Sequence, residues 1–447
     1  QAGSALIAYG TTSATATQGG VPTGITLSNA GNDLRGLVTV TGANVAVATS
    51  GNLAIAGTAV NLTTLSGGAT SFGTTTLTGG LSTTSVGDIT QTGAITTGAP
   101  SSLTSSTGDI ILTNPDNSFF GATSLVATLG DLSFAGSVAG SLATNSGGAT
   151  SFGLTTLTGG LTTVSVGDIT QTGAITTGAP SSITSTTGDI VLTNPANSFF
   201  GATALSGVDV TVVAAGDLNA LIAATGNAAA TSSGNLTVSG TAVNLATNSG
   251  GATSFGLTTL TGGLTTTSVG DITQTGAIIT GAPSSITSST GDINLTNAGN
   301  SFFGATSLTA TLGDLSFAGS VAGSLTTTSG GATSFGVTTL TGGLTTTSVG
   351  DITQTGAITT GAASSITSST GDIVLTNPGN SFFGATSLSG VDVTVVAAGD
   401  LNALIAATGN ASATSAGNLT VSGTAVNLAT NSGGTTSFGV TSLTGGL

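Results

Sequence analysis

The sequence predicts an all-β fold, a parallel β-solenoid of about 22 coils with about 20 residues in each. Three observations predict it. The string Ser-Gly-Gly-(Ala/Thr)-Thr-Ser-Phe begins at Ser66, Ser146, Ser249, Ser329 and Ser432, in steps of 80, 103, 80 and 103 residues. The Phe-Phe pairs Phe119–Phe120, Phe199–Phe200, Phe302–Phe303 and Phe382–Phe383 keep the same steps. The long block exceeds the short one by about one solenoid turn, roughly 23 residues. Only a stack in which each unit touches the next accepts such an insertion. The expected organisation is one continuous solenoid over 1–447, with blocks 66–145, 146–248, 249–328 and 329–431 and a partial block 432–447.

Within a block the signal Gly-(Asp/Asn)-(Ile/Leu) recurs, with Asp88, Asp109, Asp131 and Asp168 separated by 21, 22 and 37 residues. The step of 37 reads as two coils, the middle one, around Phe152, lacking Asp. Four coils per 80 and five per 103 residues average about 20.3 residues. The extra coil is expected near Asp217-Leu218 and Gly234-Asn235-Leu236. Ile111 is replaced by Val191, Asn294 and Val374 in later blocks, so it points outward and its neighbours Ile110 and Leu112 point inward. Gly before Asp supplies a positive φ or a tight corner between short strands. Thr and Val suit strands, and this much Gly and Thr suits helix poorly. Coils stacked about 4.8 Å apart make a rod on the order of 100 Å long.

Composition narrows the function. Hydrophobic residues make up 38% and charged residues 4%, too apolar for a disordered chain. The net charge is -15 and Arg35 is the one basic residue, which argues against nucleic acid and anionic membrane surfaces. Without Cys there are no disulfides or thiolate metal sites, a composition that fits export unfolded. No apolar run is long enough to span a bilayer as a helix, and one Tyr with no Trp cannot form the girdles of a membrane barrel. The chain begins at Gln1, which reads as a processed product or a segment of something longer.

The candidate residues read mostly as structure. The repeated Asp residues read as turn residues bonding local backbone, since no calcium nonapeptide or Asp-x-Asp-x-Asp-Gly loop occurs. Asp is the only general acid or base apart from Tyr9, and no repeat departs from its siblings as a catalytic pocket would. The expectation is no enzyme, no cofactor and no metal. In each Phe-Phe pair alternation sends one ring inward and one outward. These eight Phe residues are the candidate lateral contacts, a sticky stripe every four or five coils. Gln91, Gln171, Gln274 and Gln354 face inward or lie at a corner and need hydrogen bonds, expected from turn backbone. Thr runs such as Thr74–Thr76 and Thr345–Thr347 raise an ice-binding alternative, which their spacing, not one Thr-x-Thr per coil, weakens.

Gly-Asp-Ile-Thr-Gln-Thr-Gly-Ala-Ile from Gly87 and Ile-Thr-Leu-Ser-Asn-Ala-Gly-Asn-Asp-Leu from Ile25 resemble repeats of filamentous-haemagglutinin-like bacterial adhesins, above all the CdrA-type biofilm-matrix adhesins. The resemblance covers nearly the whole chain. It implies a right-handed β-helix on a Gram-negative cell surface or in its matrix, exported by the two-partner route, with host or matrix polysaccharide as a partner. The chain has no Asn-Pro-Asn-Leu-type secretion domain, no Arg-Gly-Asp and no cysteine hook. No functional residue is carried over.

Two function classes stay open. One is an extracellular structural or adhesive filament. The other is a binding module for ice or carbohydrate, using a Thr-rich flat face. The ends favour self-association: Leu447 stands in the slot of Leu81, Leu161, Leu264 and Leu344, each followed 36 residues later by Asn117, Asn197, Asn300 or Asn380. Asn32 reads as the same Asn slot, so a second copy after Leu447 falls only four residues short of register. Ends without a polar cap invite head-to-tail stacking, a contact that does not close on itself.

Overall fold

A computed structural model describes residues 3–447; Gln1 and Ala2 lie outside them. The chain forms two compact units, Gln1–Gly226 and Asn227–Leu447. Both are parallel β-solenoids, with no helix among the described residues. An antiparallel pairing joins Thr17–Gln18 to Val21–Pro22 near the start of the chain.

Each coil has a broad side and a narrow side. In the second unit Thr333–Leu340 forms a broad side and Leu344–Ser348 the narrow side that follows. In the next coil the broad side splits into Ile352–Gln354 and Ile358–Thr360, and Ser364–Ser368 is narrow. Period-2 alternation sends every other residue into the core, so Ile110 and Leu112 are buried and Ile111 is exposed. Stacked copies make columns: Thr150, Ile169, Ile190 and Val210 follow one another in register.

The widest part of the core is aromatic. Phe317 lies in register with Phe335, and its ring centroid is 6.1 Å from that of Phe302. The unit-one copies, Phe134, Phe152 and Phe119, repeat the arrangement. The backbone kinks there at Gly319, whose φ of 137° lies where side chains are strained, and the register shifts by one residue beside it.

The loop before each Phe pair is closed by a buried Asn. Asn300 Oδ1 accepts from the Ile278 N–H (3.0 Å) and from Gln274 Nε2 (2.9 Å). Its Nδ2 donates to Gln274 Oε1 (2.9 Å), Leu295 O (3.2 Å) and Ala318 O (3.0 Å). One side chain thus ties three successive coils. Gln274 also donates to Gly276 O, so the half-buried Gln bonds both turn backbone and the Asn. Asn32 bonds Leu27 O and Ala48 O in the same manner, which places it in the Asn slot.

Four buried threonine hydroxyls, those of Thr150, Thr203, Thr333 and Thr386, have no hydrogen-bond partner. A buried hydroxyl without a partner costs about 1–3 kcal/mol. Thr333→Val removes it at nearly constant shape and is expected to stabilise its coil by about 1 kcal/mol, read as slower amide exchange at Thr333 and Ile352. Faster exchange would show that the hydroxyl is satisfied.

The long block departs from expectation. In the 80-residue block of the second unit, Leu245 and its copy Leu325 occupy one narrow ladder, four turns apart. In the 103-residue block, Thr333, Ile352, Ile373, Val393, Ala411 and Leu428 form one ladder. Along that ladder the turn shortens from about 21 to about 17 residues. Leu428 is the copy of Leu325, yet it stands on the ladder opposite. Thr436, the copy of Thr333, has likewise moved to the ladder of Leu344, Ser364 and Thr386. The added segment is therefore one and a half turns, not one whole coil, and the mean turn is about 19 residues rather than about 20.3. The exchange is possible because Val393–Ala397 and Leu401–Ala407 make a flatter, two-strand coil in which a five-residue strand sits on the broad ladder and a seven-residue strand on the narrow one.

Candidate functional site

Corner residues come first because they carry the charge. The carboxylates at the repeated Gly-Asp corners do not bond local backbone as the sequence suggested but reach the next coil, whereas Asp33, outside that repeat, pairs with Arg35. Asp271 Oδ1 accepts from the Asp292 N–H (2.9 Å), Asp292 from Asp314 (2.8 Å), and Asp314 from Ala332 (2.7 Å). Asp88, Asp109 and Asp131 do the same in the first unit. No glycine before an Asp has a positive φ; at Gly291 the need is contact, since a Cβ would collide with the backbone of Asp271, whereas at Gly399 a Cβ would meet open space. Among the described residues no three His, Cys, Asp or Glu side chains are placed to hold a metal ion.

The Phe pairs divide as alternation requires. Phe119, Phe199, Phe302 and Phe382 are buried in the core, so as lateral contacts these four are ruled out by burial. Phe120, Phe200, Phe303 and Phe383 are 58–69% exposed at the corner between the broad and narrow sides. Only these outer rings remain available to a partner.

A flat hydroxyl face lies on the narrow ladder of the second unit. Thr265 and Thr267 are followed in register by Ser285 and Thr287, Ser307 and Thr309, and Thr326 and Thr328. Thr345 and Thr347, Ser365 and Thr367, and Ser387 and Ser389 continue it. All fourteen point outward, in two columns over seven turns. Spacing is about 6.7 Å along a strand and about 4.8 Å between coils. Thr-x-Thr itself occurs in only three of these seven coils, as the spacing of the Thr runs indicated; what recurs in every coil is a hydroxyl pair in which Ser stands in for Thr. The turn length varies here from about 19 to about 22 residues, so the linear spacing is irregular while the stacked spacing is even. The signal was the position on either side of a buried residue two after the corner, as in Leu264-Thr-Thr-Thr and Ser284-Ser-Ile-Thr. In the first unit the columns are broken by Val126, Ala143, Asn145 and Val164.

A family model described as repeats of unknown function, DUF5649, matches residues 1–41, 57–126, 129–206, 242–309 and 311–389. The chain belongs to the DUF5649 repeats. No curated protein and no solved structure matches it. The DUF5649 matches cover the four-turn blocks, with their Asn clamps and Phe pairs, whereas the stretch that exchanges the ladders, 390–425, lies outside them. Within the DUF5649 pattern the buried Asn and inner Phe are framework, and the outer Phe and the hydroxyl columns are the surface it displays.

Proposed function

We propose that this chain is an extracellular, non-catalytic structural or adhesive element of a bacterial surface or biofilm matrix, a rod or filament subunit associating with itself head to tail and laterally. The observation that carries the reading is the Asn clamp: Asn117, Asn197, Asn300 and Asn380 repeat one bonding pattern to three coils, so the sequence is spent on keeping a stack in register. The resemblance to filamentous-haemagglutinin-like repeats supports the same reading. Lateral association would use the outer rings, Phe120, Phe200, Phe303 and Phe383. Negative-stain micrographs of the 447-residue chain are expected to show fibres that lengthen with concentration. Discrete 41.6 kDa monomers at every concentration would overturn the filament.

The hydroxyl face favours a second reading, a flat binding surface for ice or carbohydrate. Thermal hysteresis of the purified chain, lost on changing Thr328 and Thr347 to Val, separates ice from the rest.

A further inference from the structure

Repetition fails at one place in the second unit, and a groove of about 490 Å³ lies there, within the size range of small-ligand sites. After Phe303 the next coil brings Val321 and Ala322 into register, so that ring has no polar side chain stacked beneath it. After Phe383 the next coil is the first of the ladder exchange. The Ala398 N–H donates to Asn380 O, and the chain runs on through Gly399 and Asp400 into Leu401–Ala407. The half-turn thus carries a Gly-Asp corner beneath an exposed phenyl ring. The groove is lined by Phe383, Asp400, Asn402, Asn418 and Thr420, all exposed.

We propose that this groove binds a neutral pyranose unit of a polysaccharide. Asp400 Oδ1 is used by the Asn418 N–H (2.7 Å), while Oδ2 has no hydrogen bond. Asn418 Oδ1 accepts from the Thr435 N–H and hydroxyl, leaving its Nδ2 free to donate. A free acceptor beside free amide and hydroxyl donors matches a ligand whose groups both give and take hydrogen bonds, as sugar hydroxyls do. The negative face of the Phe383 ring suits the C–H face of a pyranose. Acidic sugars, sulfates and phosphates are disfavoured because the chain's one basic residue is Arg35, in the other unit, and its net charge is -15. A cationic ligand would leave the amide and hydroxyl donors without acceptors. The site is separate from the hydroxyl face and does not depend on filament formation.

The test is saturation-transfer NMR and calorimetric titration of the full chain with cellohexaose, mannohexaose, hexagalacturonate and hexalysine. At least one neutral hexaose is expected to bind, with transfer from the phenyl protons. Phe383→Ala, made together with Phe200→Ala at the sequence copy 183 residues earlier, weakens it about tenfold or more, and Asp400→Asn with Asp217→Asn does likewise. Phe303→Ala with Phe120→Ala leaves binding unchanged, and a loss seen only with Thr328→Val and Thr347→Val would put the sugar on the hydroxyl face and overturn the proposal. The substituted rings are exposed, and unchanged far-UV dichroism confirms that each variant folds. No binding of either neutral hexaose, tighter binding of hexagalacturonate or hexalysine, or an equal loss in the Phe303 control overturns the proposal.

Discussion

Asn300→Leu is expected to loosen three coils at once. The amide of Asn300 makes five hydrogen bonds, and leucine leaves the Ile278 N–H and the carbonyls of Leu295 and Ala318 buried without this partner. At about 1–3 kcal/mol for each unsatisfied buried group, the local loss should be about 3 kcal/mol or more. Exchange of the Ile278 amide then accelerates about a hundredfold. Gln274→Ala, at a half-buried position, should cost about 1 kcal/mol and accelerate it far less. Equal effects from the two would mean that Asn300 acts only by holding Gln274.

Phe317→Ala should open one of the largest cavities that a single substitution can make in its block. Phe317 is fully buried, packs on Phe302 and stacks in register with Phe335. Loss of a buried phenyl costs about 3–5 kcal/mol when the surroundings collapse only partly. Neighbour-to-neighbour stability confines the damage, so proteolysis in rising urea should cut first between residues 293 and 340. Cleavage first at a distant coil would show that the stack melts as one body, and cleavage at the wild-type urea concentration that the ring adds no stability.

The sequence revealed what depends on local alternation and hid what depends on counting turns. Ile110, Ile111 and Leu112 could be assigned from one substitution column, because strand geometry leaves two faces only. The split of each Phe pair followed from the same rule. The total of about 22 turns stood, but the share of the long block was misjudged because Asp400-Leu401 and Gly417-Asn418-Leu419 look like ordinary corners, while each opens a short coil, of about 18 and about 17 residues. A coil that short omits one corner of the longer coils, and nothing in a linear motif records on which ladder its strand will land. The hydroxyl columns were hidden for the related reason that the distance along the chain between stacked neighbours changes from turn to turn. The reach of each Asp to the next coil was invisible too, since its partner is the backbone of a residue about one turn away.

The ladder exchange makes the repeat arithmetic one of odd and even. Near-identical blocks invite copy-number change in the gene, and the protein responds according to parity. Loss or gain of an 80-residue block removes or adds four full turns, and everything downstream keeps its bearing. Loss of a 103-residue block removes five and a half, so everything downstream turns by half a turn and its narrow face comes out on the other side. A lineage that shortens this chain by short blocks keeps its downstream faces on the original side, and one that deletes long blocks keeps them there only when it deletes them in pairs.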